Sequence, residues 1–202
     1  PMVSGKGWVG VLLKKMLFNT DVEFSGLSTA SNLNERAYVP STGDIKSYGD
    51  IWTGMYDGVN RTNDVIEGIE QSPLFAAADK TKPSRLMHYY GEAKVLRAMY
   101  YLELVRNWGD VPYRRTSAGN KDELFIGATD RNTILTDMIN DLIEVEPLML
   151  YAEESDRGVE AASREFCQAL IARIALQRGG WSLRPDYDCL LYTSPSPRDR
   201  TR

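Results

Sequence analysis

Histidine and cysteine are nearly missing from this chain: one His and two Cys occur in 202 residues. Any Ser-His-Asp arrangement or histidine-ligated zinc would have only His88 to draw on. Cys189 belongs to an anomalous C-terminal stretch, which leaves Cys167, and a single cysteine makes neither a disulfide framework nor a metal cluster. No apolar run approaches the ~18 residues of a membrane-spanning helix. An excess of positive charge is missing too. The formal net charge is −4, and a nucleic-acid binder needs a basic face. The opening PMVSGKGWVG has no basic n-region, long apolar h-region or cleavage site. Met2 follows Pro1, so the chain is expected to be an internal piece of a longer reading frame.

The last residues differ from the rest. In DCLLYTSPSPRDRTR, Pro195 and Pro197 lack backbone donors, and no apolar residue follows Tyr192. The segment CLLYTSPSPRD resembles, in translation, a transposase-end sequence from sequencing-library preparation, and such segments are excluded from fold reasoning. The expected organisation is therefore a helical domain over 1–188 and a non-native tail over 189–202. Without the tail's three Arg and one Asp, the net charge of −4 becomes −6.

Four segments carry a helical period. In 45–71, Trp52, Met55, Tyr56, Val59, Asn63, Ile66 and Ile69 share one face. In 84–108, the predicted stripe is Leu86, Tyr89, Tyr90, Ala93, Leu96, Tyr100 and Leu104. Pro83 suits a helix start, and Gly109 and Pro112 end this helix. A third helix has Asp130 as N-cap and continues through Ile134, Leu135, Met138, Ile139, Leu142 and Ile143 until Pro147 stops it. A fourth covers 161–178. Phe166, Leu170 and Ile174 form its row, Ala169, Ala172 and Ala175 permit close contact, and Gly179-Gly180 stops it. A further helix over 7–18 and a long irregular region over 19–44 precede these. The pattern predicts an all-α fold of antiparallel helix pairs of the tetratricopeptide kind, without a clean 34-residue repeat.

Chemistry is sparse. GKG at 5–7 lacks the spacing and the Lys-Ser/Thr ending of a phosphate loop. Asn60-Arg61-Thr62 matches a glycosylation sequon but falls inside a predicted helix. Asp21 and Glu23 point the same way on an extended segment, yet no third group completes an acid–base site. The aromatics Trp52, Tyr56, Tyr89, Tyr90, Tyr100, Tyr101 and Trp108 could stack sugars, but helical spacing favours core roles. His88 reads as a surface or capping residue. Cys167 reads as a buried, inert thiol. No catalytic constellation or cofactor site emerges, which favours binding over catalysis.

Three stretches carry a family resemblance. They are WTGMYDGVNRTNDVIE at 52–67, GEAKVLRAMYYLELVRNWGDVP at 91–112 and ALIARIALQRGGWSLR at 169–184. Together with NTDVEFSG at 19–26, they resemble the SusD/RagB family. The resemblance implies a tetratricopeptide-like scaffold with a loop-rich ligand-binding part. It also implies a non-catalytic surface lipoprotein of the outer membrane, held by an N-terminal lipid anchor absent from this chain. Such a protein caps a SusC-like TonB-dependent transporter and delivers glycans or other nutrients to it, and full-length members are more than twice as long. No family binding motif can be matched residue by residue. Candidate ligand contacts are the loop residues Asn34, Arg36, Tyr38 and Tyr48: an aromatic face for a sugar ring, with amide and guanidinium donors for its hydroxyls. The competing expectations are an intracellular helical-repeat scaffold for a protein partner and a two-carboxylate glycosidase.

Overall fold

The computed structural model describes residues 42–117 and 126–180, with side chains from Gly49 onward. The chain divides into two compact units, 1–58 and 59–202. The described part of the first unit is the opening half of one helix. In it Ile51 and Met55 are buried, and the rings of Trp52 and Tyr56 lie 4.9 Å apart.

The helices are α1 (Thr42–Glu70), α2 (Pro73–Ala77), α3 (Arg85–Trp108), α4 (Arg131–Val145) and α5 (Arg164–Arg178). Each of the last four begins at a side-chain cap, which satisfies a backbone N–H that the helix itself leaves unpaired. Ser72 accepts from the Leu74 N–H, Ser84 from Met87, Asp130 from Thr133 and Ser163 from Phe166. Helix α1 begins three residues earlier than its periodicity predicts. Helix α5 begins three residues later, because Gly158–Glu160 forms a separate 3-10 turn and the α-helix is capped only at Ser163. At Pro147 the α4 helix tightens into a 3-10 turn, Glu146–Leu148, since proline cannot donate to the helical ladder.

Side-chain pairs fix the helix directions. Glu70, at the end of α1, meets Tyr90 near the start of α3, and Asn63 meets Arg97. These two helices are therefore antiparallel. Lys94 with Glu144 and Arg97 with Asp141 set α3 antiparallel to α4. Glu146 with Arg164 and Thr136 with Arg178 do the same for α4 and α5. The result is the all-α arrangement of tetratricopeptide-like hairpins that the periodicity predicts.

Two further features depart from the sequence reading. The connection between α3 and α4 holds a two-residue antiparallel ladder, β1 (Val111–Pro112) with β2 (Ala128–Thr129). Gly109 opens it with φ of +78°, a region where side-chain-bearing residues are strained. Asp110 Oδ1 then closes it, accepting from the Arg131 backbone N–H at 3.2 Å and from Arg131 Nε at 2.7 Å.

The second departure is the buried face of α3. The predicted stripe places Tyr89 and Leu96 inward, yet they are 41% and 37% exposed. Met87, Val95, Ala98, Tyr101, Leu102 and Val105 are buried alongside the predicted Tyr90, Ala93 and Leu104. Helix α3 packs against α4 and α5 and hydrogen-bonds to α1, so burial reaches most of its circumference and a single stripe does not describe it. On α5, Phe166, Ala169, Ala172 and Ala175 face outward, and Cys167 joins Leu170 and Ile174 inside. Close approach to α3 occurs instead at Gly91, where a Cβ would lie 2.5 Å from Cγ of Met149, just past the 3-10 turn.

Candidate functional site

Two polar regions stand out, and both are built on α3. The first is a buried seam. Arg97 and Asn63 are 2% and 0% exposed, and Asp141 and Lys94 are each 5% exposed. Buried charges persist only where partners replace lost hydration. Arg97 Nη2 donates to Asp141 Oδ2 at 2.6 Å, and Nη1 donates to Asn63 Oδ1 at 3.0 Å. Arg115 Nη2 donates to the other Asp141 oxygen at 2.8 Å. Lys94 Nζ donates to Glu144 at 3.0 Å. Asp141 sits among Ile134, Leu135, Met138, Leu142 and Val145 on the buried face of α4. A carboxylate placed within an apolar period is a readable sign of a buried partner, yet Asp141 is absent from the residues singled out on sequence.

The seam holds the backbone that leaves β1. Asn63 Nδ2 donates to the Thr116 carbonyl at 3.0 Å and reaches that of Arg114 at 3.5 Å, while Arg97 Nη1 donates to the Arg115 carbonyl at 3.3 Å. Tyr101 donates to the Arg114 carbonyl at 2.9 Å and accepts from the Arg114 N–H at 2.7 Å. Glu67 accepts from the Ser117 N–H at 2.7 Å, and Asp64 bonds the Ser117 hydroxyl. Burial pushes the Tyr101 phenol up to about 12. The inward Asn63 expected on α1 thus has a role: it fastens a strap, 114–117, that hydrogen bonds within a helix could not hold.

The second region lies at the head of α3. A pocket of about 240 Å³ is lined by Arg85, His88, Tyr89, Leu150, Glu154, Ser155, Asp156 and Arg157. His88 is 2% exposed, which corrects the expectation of a surface residue. Its Nδ1 accepts from the Leu150 N–H at 3.3 Å, and its Nε2 has no hydrogen-bond partner among the described residues. Burial, with a smaller contribution from Arg157 against the opposing pull of Glu92, lowers its pKa. The ring is therefore neutral near pH 7, with its proton on Nε2. Arg85 pairs with Asp156, and Arg157 with Glu92. Arg157 also lies over the Tyr89 ring at 5.8 Å, near the outer limit of a cation–π contact.

A wider cleft of about 460 Å³ lies between Phe75, Lys80, Thr81, Met87, Tyr90, Glu144, Pro147 and Leu148. Phe75 and Tyr90 pack at 5.1 Å there, and Lys80 covers the Phe75 ring at 4.2 Å. Cys167 is buried, and its thiol is pushed up to about 12 by burial, with Glu146 adding to the effect. It is therefore not a nucleophile at neutral pH. Among the described residues, no group of His, Cys, Asp and Glu could hold a metal ion.

The sequence-predicted ligand residues fall outside what the structure describes of side chains. Asn34, Arg36 and Tyr38 lie outside the described residues, as do Asp21, Glu23 and Gly5–Gly7. Tyr48 falls on α1, but its side chain is outside the described set. No signal in the sequence pointed to the His88 pocket, because its walls meet across long separations: His88 and Leu150 are 62 positions apart.

The architecture defines a class, a helical-hairpin scaffold that carries polar sites on its ends and seams. Comparison with known proteins then gives the family. A family model described as "Starch-binding associating with outer membrane", SusD-like, matches residues 11–176. The chain belongs to this SusD-like family. It is 27% identical over 153 residues to SusD-like protein P25 of Formosa agariphila, which covers 75% of this chain and 27% of the relative. A SusD superfamily structure from Parabacteroides distasonis superposes with a TM-score of 0.63 at 25% identity, over 79% of this chain and 32% of that one. A laminarin-binding SusD-like protein superposes at 0.60 with 24% identity, over 75% and 32% of the two chains. The chain thus spans about a quarter of the length of the curated relatives it matches.

Proposed function

We propose that this chain is part of a non-catalytic, surface-exposed outer-membrane protein that binds glycans for uptake. It works with a SusC-like TonB-dependent transporter and is held to the membrane by an N-terminal lipid anchor. The observation that carries this reading is the family match over residues 11–176, whose description names both starch binding and the outer membrane. The laminarin-binding SusD-like protein adds a glycan binder on the same fold.

The chemistry present suits capture better than turnover. The buried carboxylate of the seam, Asp141, is committed to Arg97 and Arg115, so it is not available as an acid or base. Ligand contacts are assigned to Asn34, Arg36, Tyr38 and Tyr48, where a ring face and polar donors would grip a sugar. The test is a glycan array on the complete protein, followed by chromatography of each bound glycan after prolonged incubation. Saturable binding with intact glycan recovered is expected. Release of shortened products, or no glycan bound at all, would overturn the reading.

A further inference from the structure

We propose that the pocket at the head of α3 binds one uncharged pyranose ring, against Tyr89 and among His88, Arg85, Ser155 and Asp156. This rests on the reading that the protein binds glycans, and it adds a site built from residues other than those assigned above.

Size sets the first limit. At about 240 Å³, the pocket is below the ~300–1,000 Å³ of clefts that take drug-sized ligands. One ring fits such a space, and an extended oligosaccharide does not. Charge sets the second. The lining holds Arg85 and Arg157 against Glu154 and Asp156, so its formal charges cancel. Both arginines already face carboxylates, Asp156 and Glu92. An anionic ligand would have to displace those partners, whereas a neutral one need not.

The polar groups set the third. Sugar hydroxyls both donate and accept, and they pair best with neighbouring donors and acceptors. Arg85 beside Asp156 offers that alternation at the rim, and Ser155 adds a hydroxyl next to them. His88 lines the pocket with a ring whose Nδ1 is used by Leu150 and whose enclosed Nε2 has no acceptor among the described residues. A buried donor left unpaired costs free energy, which only a hydroxyl that reaches it recovers. Tyr89 supplies the broad aromatic face of the lining. The residue is 41% exposed, and Arg157 stands 5.8 Å off the ring. An exposed ring beside polar groups is a surface for the C–H face of a sugar. By contrast, the wider cleft near Tyr90 has an apolar floor of Met87, Pro147 and Leu148, and its Phe75 ring is covered by Lys80.

The experiment is a titration of the isotope-labelled 202-residue chain with glucose, galactose, mannose and glucuronate, followed by NMR. Saturable shifts are expected at the Leu150 amide and the His88 ring for at least one neutral hexose. Tyr89→Ala should weaken that binding about ten-fold, and Tyr89→Phe, which keeps the ring, should leave it within about two-fold. Both changes are at an exposed side chain, and circular dichroism melting checks that each variant folds. Hexose binding that Tyr89→Ala leaves unchanged, or shifts confined to other parts of the chain, would overturn the pocket while leaving glycan binding intact. Glucuronate binding more tightly than every neutral hexose would overturn the uncharged-ring assignment. No shift with any of the four sugars, beside a glycan array positive for the complete protein, would reject this pocket alone. A negative array would remove the parent reading with it.

Discussion

The seam and the pocket are both built from α3 with arginine–carboxylate pairs, yet they are physically opposite. In the seam, Arg97 and Asp141 have side chains 3% and 7% exposed; Asn63, Arg115 and the Arg115 carbonyl meet most of their remaining polar atoms, while Arg97 Nε has no partner among the described residues. In the pocket, Arg85 and Asp156 are 67% and 70% exposed, so water competes for every contact. A surface pair contributes little because solvent already satisfies both ions. A buried pair contributes little net when formed, but losing one partner strands the other in a poor solvent. The same residue types therefore fix a backbone in one place and leave an adaptable rim in the other.

This contrast can be broken in several ways, beginning with the largest effect. Asp141→Ala leaves Arg97 buried without its carboxylate, and unfolding by urea should show a loss of about 3–5 kcal/mol. A loss below about 1 kcal/mol, the range of exposed pairs, would mean the seam is wetter than its burial indicates. Asn63→Ala removes the partner of Arg97 and of two strap carbonyls, for an expected loss of about 1–3 kcal/mol. Amide hydrogen exchange should quicken in 114–117 in that variant; unchanged exchange there would argue that the strap is held by other contacts.

Alkaline titration probes the same seam. The Tyr101 phenol is raised by burial from 10.0 to about 12 in the folded chain. The unfolded chain therefore releases this proton first. The contribution of Tyr101 is fully present below pH 10 and is lost as pH rises towards 12, so stability falls with rising pH across that window. Urea midpoints measured from about pH 9 upward should decline more steeply for the natural sequence than for Tyr101→Phe. Parallel curves would show that the phenol is not responsible. The smallest effect belongs to the pocket rim: Arg85→Ala should change stability by about 0–1 kcal/mol, and a greater loss would make this pair structural.

Much of the scaffold was legible beforehand. The cap at Asp130, the stop at Gly109 and the break at Pro147 arise from local backbone chemistry, which a few neighbouring residues decide. The inward Asn63 was legible as well, because a polar residue on an apolar face requires partners wherever it is buried. The stripe on α3 was not. Tyr89 and Leu96 fit a single-face period, but the helix is surrounded, so hydrophobicity no longer separates inside from outside. His88 was misread for a related reason: a lone histidine that falls off the predicted stripe looks like surface until Leu150 arrives from 62 positions away.

The sequence by itself determined that the four long helices form and must pair, because capping, proline geometry and apolar spacing act within a few residues. It also carried the family signature in the stretches around Asn63, Arg97 and Gly109. Tertiary structure alone decided which charges were enclosed and which were left wet. Arg97 and Arg85 are chemically the same residue on one helix, and only the packing of α1 and α4 around the first removes its water.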